Sequence, residues 1–264
     1  APYDVKFGNF TGGGINAVTR SGTNNLEGSV YGFLRNENTV GKDPITDTKA
    51  AAFKDYQTGF RVGGAVIKDN LFFFLNGEIT RRSEPLLNNL GDASSIVPEA
   101  DVRLLAETLR SKYGYDPGTF GSVDRRTESN KLFGRLDWNI SDRHQLTLRH
   151  NFVDAFDDNI TRTNSTFRLG NNAYEFSNTT NSTVAELRSR FSESLSNSLI
   201  VGYSRIRDTR DTPGGLFPQV TIRFNGSGSN TITAGTERSS GFNELDQDIL
   251  EFTNNLTPFK GAHT

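Results

Sequence analysis

The residues that offer most chemistry in this sequence are charged side chains that alternate with apolar ones along predicted strands. They are Glu78, Arg82, Arg135, Asp137, Arg149, Glu186, Arg188 and Arg190. On one face of a sheet, such carboxylates and guanidiniums form a polar wall that contacts water or another segment, and some could contact a substrate. They provide no nucleophile with a base and an orienting group, so we expect a protein that is not an enzyme.

Three further patterns resemble binding sites only in part. Oxygen ligands of the kind that hold Ca²⁺ cluster at Asp154, Asp157, Asp158 and Asn159, but the calcium-loop template is missing, which favours solvated acids. Gly12, Gly13 and Gly14 are not followed by the Gly-Lys-Ser/Thr of a phosphate-binding loop. The three histidines lack metal-ligand spacing. We therefore predict no cofactor and no metal site.

Composition excludes several classes of protein. Lys+Arg 29 against Asp+Glu 31 give a net charge of −2, without the basic character of chains that hold phosphate backbones, so we expect no nucleic-acid partner. Cys 0 excludes disulfides and thiolate metal sites. The longest apolar runs, such as residues 71–75, are far shorter than the roughly 20 residues of a transmembrane helix. An α-helical membrane protein is excluded, and a membrane β-barrel stays open.

Period-2 alternation dominates the chain and predicts about eight antiparallel strands. They cover about 26–36, 60–66, 71–82, 130–140, 145–152, 185–191, 199–203 and 245–257. In the clearest strand, Leu132, Leu136 and Ile140 point one way, while Arg135 and Asp137 point the other. If the first face meets lipid, Leu136→Arg costs stability and Asp137→Arg costs little.

The connections alternate in length. Tight turns are predicted at 68–70, 141–144, 192–197 and 259–263, and long polar loops at 37–55, 84–128, 157–176 and 211–244. Short turns on one side and long loops on the other are typical of outer-membrane barrels, with periplasmic turns and extracellular loops. The sequence therefore favours an all-β fold, a segment of a transmembrane β-barrel.

Two local patterns add detail to this barrel interpretation. Pro98, apolar residues at helical spacing (Val102, Leu105, Leu109) and Gly114 predict a helix inside one long loop, packed on the loop layer. Aromatic residues near the short turns predict an interfacial girdle. These are Phe72, Phe73, Phe74, Trp138 and Phe259.

Residues 10–24, which contain Gly12-Gly13-Gly14-Ile15-Asn16, resemble the end of the plug domain of TonB-dependent outer-membrane receptors. The match continues in order through 28–36, 63–74, 130–149 and 236–264, although family members often carry proline where this chain has Ala65. The most similar subgroup is the Oar-like receptors with a carboxypeptidase-regulatory-like N-terminal domain. The resemblance implies that residues 1–24 end the plug and that residues 25–264 form the first part of a larger barrel, of about 22 strands.

The same resemblance implies a plug–barrel junction, a location and partners. The junction residues would be Gly12, Gly13, Gly14, Asn16, Thr19, Arg20 and Gly22. The location would be the bacterial outer membrane. The partners would be outer-membrane lipid, TonB through a segment upstream of Ala1, and an imported ligand that is a peptide, a glycan or a chelate.

Two other functions stay open at this point. The first is a β-rich surface adhesin or binding module without transport, and the second is a passive channel without a plug. The chain starts at Ala1, has no signal segment and contains Met 0, so we expect a piece of a longer protein.

Overall fold

The structure, a computed structural model, describes residues 18–92, 94–95, 97–224 and 230–259. In chain order the elements are β1 (Glu27–Asn36), β2 (Lys54–Ile67), β3 (Leu71–Pro85), α1 (Glu99–Tyr113), β4 (Asp124–Ser141), β5 (His144–Asn159), β6 (Thr166–Arg168), β7 (Tyr174–Ser192), β8 (Leu195–Asp211), β9 (Val220–Arg223), β10 (Thr231–Ala234) and β11 (Leu245–Pro258). No helix among these residues has the length and apolar character needed to cross a membrane.

Eight long strands form one antiparallel sheet in the order β1-β2-β3-β4-β5-β7-β8-β11. Each strand pairs with its neighbour in this order, so the sheet is an uninterrupted meander. β1 and β11 are the two outer strands. The prediction of about eight antiparallel strands in an all-β fold is confirmed.

The pairing register sorts the side chains of this sheet onto two faces. Leu136 lies opposite Phe73 on one neighbouring strand and Leu148 on the other, and Ala185, Val201 and Phe252 continue the same row. We call this side the apolar face, and the opposite side, with Arg135 and Glu78, the polar face. Leu136 and Val201 on the apolar face are 42% and 39% exposed, although they are large apolar residues. Such a surface indicates contact with lipid or a partner.

The predicted aromatic girdle is wrong for two of its members. Phe73 and Trp138 lie on the apolar face, but Phe72 is paired with Asp137 and Phe74 with Arg135 on the polar face. Phe74 packs against Phe133 there, with ring centroids 6.3 Å apart. The reason is the strand geometry, because consecutive side chains point to opposite faces.

The strands are longer than their hydrophobic patterns. β4 begins at Asp124 rather than near 130, and β8 ends at Asp211 rather than near 203. In these extensions charged side chains also occupy the apolar face, where Arg126 binds Asp158 at 2.8 Å and Arg207 binds Asp248 at 2.7 Å. The hydrophobic alternation stops there, but the backbone ladder continues. The tight turns after β2, β4 and β7 are confirmed, and residues beyond Phe259 lie outside the described residues.

Three of the long loops fold together above the sheet. We call this unit the cap; it comprises residues 86–123, 160–173 and 212–244 where described. It contains α1 and a small sheet in the order β6-β10-β9, with β10 parallel to β6 and antiparallel to β9. Phe167, Leu169, Ile232 and Val102 are fully buried in its core. The sequence predicts polar loops and a helix here, and it does not predict the small sheet.

The helix itself follows its sequence signals. Pro98 is its N-cap residue, and Gly114 ends it in the left-handed region at φ 63°, which glycine adopts without a Cβ clash. Val102, Leu105, Ala106 and Leu109 form its buried face. The helix therefore packs on the loop layer, as the spacing predicts.

Candidate functional site

The polar face is the candidate site, because it carries the charged residues that the alternation singles out. The register places all eight on this face. Seven of them form ion pairs at different positions along the strands. Arg190 donates its backbone N–H to the Arg143 carbonyl oxygen at 2.8 Å.

Glu78 is the centre of the first cluster, near β1. It accepts hydrogen bonds from the Tyr31 hydroxyl at 2.9 Å, the Gln57 amide at 2.6 Å and the Lys131 ammonium at 2.9 Å. Tyr31 can reach across β2 because its cross-strand partner there is Gly59, which has no side chain in the way. Four strands are tied together by this carboxylate. The sequence does not single out these partners, although Lys131 shares the alternation of Arg135.

A second cluster contains the most buried charge of the wall. Asp137 is 4% exposed; Arg135 donates to it at 2.8 Å from both Nε and Nη2, and the Thr147 hydroxyl donates to it at 2.8 Å. Arg135 Nη1 also donates to the backbone oxygen and the hydroxyl of Thr19, both at 2.7 Å. Arg135 therefore holds a segment that precedes the sheet. Because an arginine at 137 would break this network, we expect Asp137→Arg to cost stability, in contrast to the low cost that the alternation alone predicts.

The segment at 18–26 lies against the polar side of β2 and β3 without regular secondary structure. A Cβ on Gly22 would lie 2.3 Å from the Phe73 carbonyl oxygen and 2.5 Å from that of Gly64, so only glycine fits. Asn24 binds the turn between β2 and β3, since its amide donates to Asp69 at 2.5 Å and its oxygen accepts the Asp69 N–H at 2.8 Å.

Some of the residues predicted for a plug–barrel junction lie in this segment. Thr19 and Gly22 contact the sheet as described, and Arg20 borders a small pocket beside them. Gly12, Gly13, Gly14 and Asn16 lie outside the described residues.

Glu186 forms a third cluster on β7. Arg188 donates to it at 2.7 Å, and Arg149 lies 3.6 Å away on β5. The Nε of Arg149 is buried and has no hydrogen-bond partner among the described residues. Two guanidiniums thus share one carboxylate, so this cluster of the polar face has a net positive charge.

A fourth cluster lies at the long-loop end of the polar face. Arg82 binds Glu84 at 2.5 Å, Arg125 binds the other oxygen of Glu84, and Arg35 binds Asp55 at 2.9 Å. Of these residues, the alternation in the sequence singles out Arg82 alone. Arg35 lies within the strand predicted at 26–36, but it is not among the charged residues that the alternation singles out. Asp55, Glu84 and Arg125 lie beyond the predicted strands, so only a longer strand prediction could find them.

The acidic cluster considered for Ca²⁺ is divided by the strand geometry. Asp154 and Asp158 lie on the apolar face and Asp157 on the polar face. Asp158 binds Arg126, and Asp157 accepts the Thr127 hydroxyl at 2.6 Å. Among the described residues, no group of three His, Cys, Asp or Glu side chains is arranged to hold a metal ion.

The cap contains a buried cation, Arg162, which is 4% exposed. It donates to the Asn89 side-chain oxygen at 2.6 Å and to the carbonyl oxygens of Gly121 at 2.7 Å and Arg168 at 3.1 Å. Its guanidinium also lies 4.5 Å from the centre of the Phe167 ring. Burial lowers the pKa of Arg162 to about 10, so it stays charged at neutral pH. Arg162 thus joins two of the three cap segments.

Relatives of the chain were found by sequence. The family model for the outer membrane beta barrel domain matches residues 18–119 and 103–264. The TonB-dependent transporter Oar of Myxococcus xanthus is 37% identical over 86 residues, which cover 27% of this chain and 7% of that protein.

One solved structure shows the same fold. The outer membrane transporter YddB of Escherichia coli superposes with a TM-score of 0.56 at 12% identity, over 94% of this chain and 29% of that one. For the siderophore receptor PirA of Acinetobacter baumannii the TM-score is 0.44 at 13% identity, over 90% and 27%. The chain thus spans less than a third of each of these proteins. Its open sheet is a barrel segment, and the chain belongs to the outer membrane β-barrel domain family.

Proposed function

We propose that the chain forms the end of the plug and the first eight strands of a TonB-dependent outer-membrane receptor, which imports a ligand through a plugged barrel. The observation that carries this proposal is the segment at 18–24, which lies against the polar face and is held by Arg135 and by the fit of Gly22. A barrel of about 22 strands is too wide for its own side chains to fill, so a plug must close it. The sequence likeness to a TonB-dependent transporter supports the same function.

The partners are proposed on the same basis. TonB would bind a segment upstream of Ala1, outer-membrane lipid would surround the apolar face, and the ligand would be a peptide, a glycan or a chelate. The charged clusters of the polar face would contact the plug and the water around it. A plug closed by polar contacts can move without exposing apolar surface, which suits a transporter that must open.

Conductance tests the plug without knowledge of the ligand. The full-length parent protein, reconstituted in planar bilayers, is expected to be closed, and a variant that lacks the plug through Asn24 is expected to form a large open pore. An intact parent that already conducts would indicate the passive channel instead. A parent for which neither form conducts would indicate the adhesin.

Two glycine variants sharpen this experiment. Gly22→Val is expected to displace the segment and make the parent leak, because even a Cβ cannot be placed there. Gly41→Val is the matched control, since a Cβ at Gly41 meets nothing within 4 Å. Equal, closed conductance of both variants would contradict the role of the segment as part of the plug.

A further inference from the structure

A cavity of about 400 Å³ lies where the cap meets the long-loop end of β3 and β4. Its size falls within the roughly 300–1,000 Å³ that is usual for small-ligand sites. Phe53, Leu86, Leu87 and Ile160 contribute apolar walls. Leu87 is 67% exposed, so its side chain is accessible to a ligand.

The polar part of this cavity has a surplus of positive charge. Glu84 and Arg125 both border it, and the two oxygens of Glu84 are taken by two guanidiniums, those of Arg82 and Arg125. The Arg125 side chain is 43% exposed, and among the described residues Glu84 is the carboxylate within ion-pair distance. An arginine has five N–H donors, so Arg125 keeps donors for a further acceptor.

The second cation at the cavity adds to this surplus. Arg162 also borders it. Asp92 is near enough for its charge to act on Arg162, but no carboxylate in the described part of the chain lies within 4 Å of this guanidinium. The charged residues of the lining are thus two arginines and one glutamate. A negative group in the cavity would neutralise this surplus in a site that the cap partly shields from water.

We propose that this cavity binds a small ligand with an apolar body and a single carboxylate. The planar guanidinium of Arg125 matches the two oxygens of a carboxylate, and the apolar walls match the rest of the ligand. A doubly charged phosphate fits less well, because the surplus is one charge and Glu84 is adjacent. The inference rests on the proposed function and deepens it, since it names the chemistry of a ligand at the extracellular end of the barrel.

The test uses the full-length parent in detergent and two probes of equal shape, 4-phenylbutyrate and 4-phenylbutanol. Saturation-transfer NMR titrations are expected to show that the acid binds at least tenfold more tightly than the alcohol. Arg125→Gln is expected to abolish this difference in affinity, because it lowers the affinity for the acid at least tenfold. Equal affinities of the two probes for the unchanged protein would overturn the proposal.

The adjacent arginine provides a matched control. Arg126 lies on the opposite face and binds Asp158, so Arg126→Gln is expected to leave the affinity for the acid unchanged. Leu87→Ser, at an exposed position, is expected to lower the affinities for the acid and for the alcohol alike. Equal losses in the two glutamine variants would overturn the proposal, as would full affinity in Leu87→Ser.

Failure of this inference differs from failure of the proposed function. Arg125 does not contact the segment at 18–24 among the described residues, so Arg125→Gln is expected to leave the parent closed in planar bilayers. A parent that stays closed but does not bind the acid would rule out the ligand site and leave the proposal of a plugged barrel intact.

Discussion

An arginine in place of Val201 is expected to lower the free energy of barrel unfolding by about 2–4 kcal/mol, the cost of a cation on a lipid-facing site near mid-membrane. Val201 lies on the apolar face in the row of Leu136 and Leu148. Its neighbour Ile200 lies on the polar face, opposite Glu186 on one strand and Thr253 on the other. Ile200→Arg is therefore expected to change the unfolding free energy little, because water on the polar face solvates the cation.

Val201→Arg and Ile200→Arg make a matched pair, since the two residues are adjacent, β-branched and similar in size. Urea unfolding of the full-length parent in lipid vesicles measures both. Leu136→Arg is expected to behave as Val201→Arg does, and Asp137 is unsuitable as the polar control because it is buried in its own network. Equal, small effects at 200 and 201 would mean that neither face meets hydrocarbon and would favour a soluble sandwich.

A second large effect is expected in the cap. Leu105→Ala removes a buried side chain from the cap core and is expected to lower the local stability of the cap by about 2–5 kcal/mol. Leu105 is 9% exposed and packs in the core that contains Phe167 and Ile232. Hydrogen exchange of the helix amides in the full-length parent measures this local opening.

Its control is the preceding residue on the same helix. Leu104 is 65% exposed, so Leu104→Ala is expected to leave exchange nearly unchanged. Identical protection in both variants would show that the three loops do not share a packed core, and the cap would then be three independent loops.

The two faces of the sheet were predictable because strand alternation is local. Leu136 and Arg135 are adjacent in sequence, and the pleat alone sends them to opposite sides. The same rule corrects the girdle at Phe72 and Phe74, because nearness to a turn does not decide which face a strand side chain takes. Register followed from the short turns, which leave little freedom to slip.

The cap and the fourth charge cluster were not predictable in the same way. β6 and β10 are short, of three and four residues, and they pair across loops that are more than 60 residues apart. Neither carries enough alternation to be recognised alone. Arg125 and Glu84 lie where both strand faces are polar, so no hydrophobic pattern marks the strand there.

Labelling of single cysteines in intact cells tests most directly whether this chain is an outer-membrane barrel with its cap outside. The chain contains Cys 0, so an introduced cysteine is the only thiol in these 264 residues that the label can modify. Leu216→Cys, at a cap position that is 72% exposed, is expected to react with a membrane-impermeant maleimide on intact cells. Asp142→Cys, in the turn between β4 and β5, is expected to react only after the outer membrane is opened. Labelling of Asp142→Cys but not of Leu216→Cys on intact cells would contradict the account.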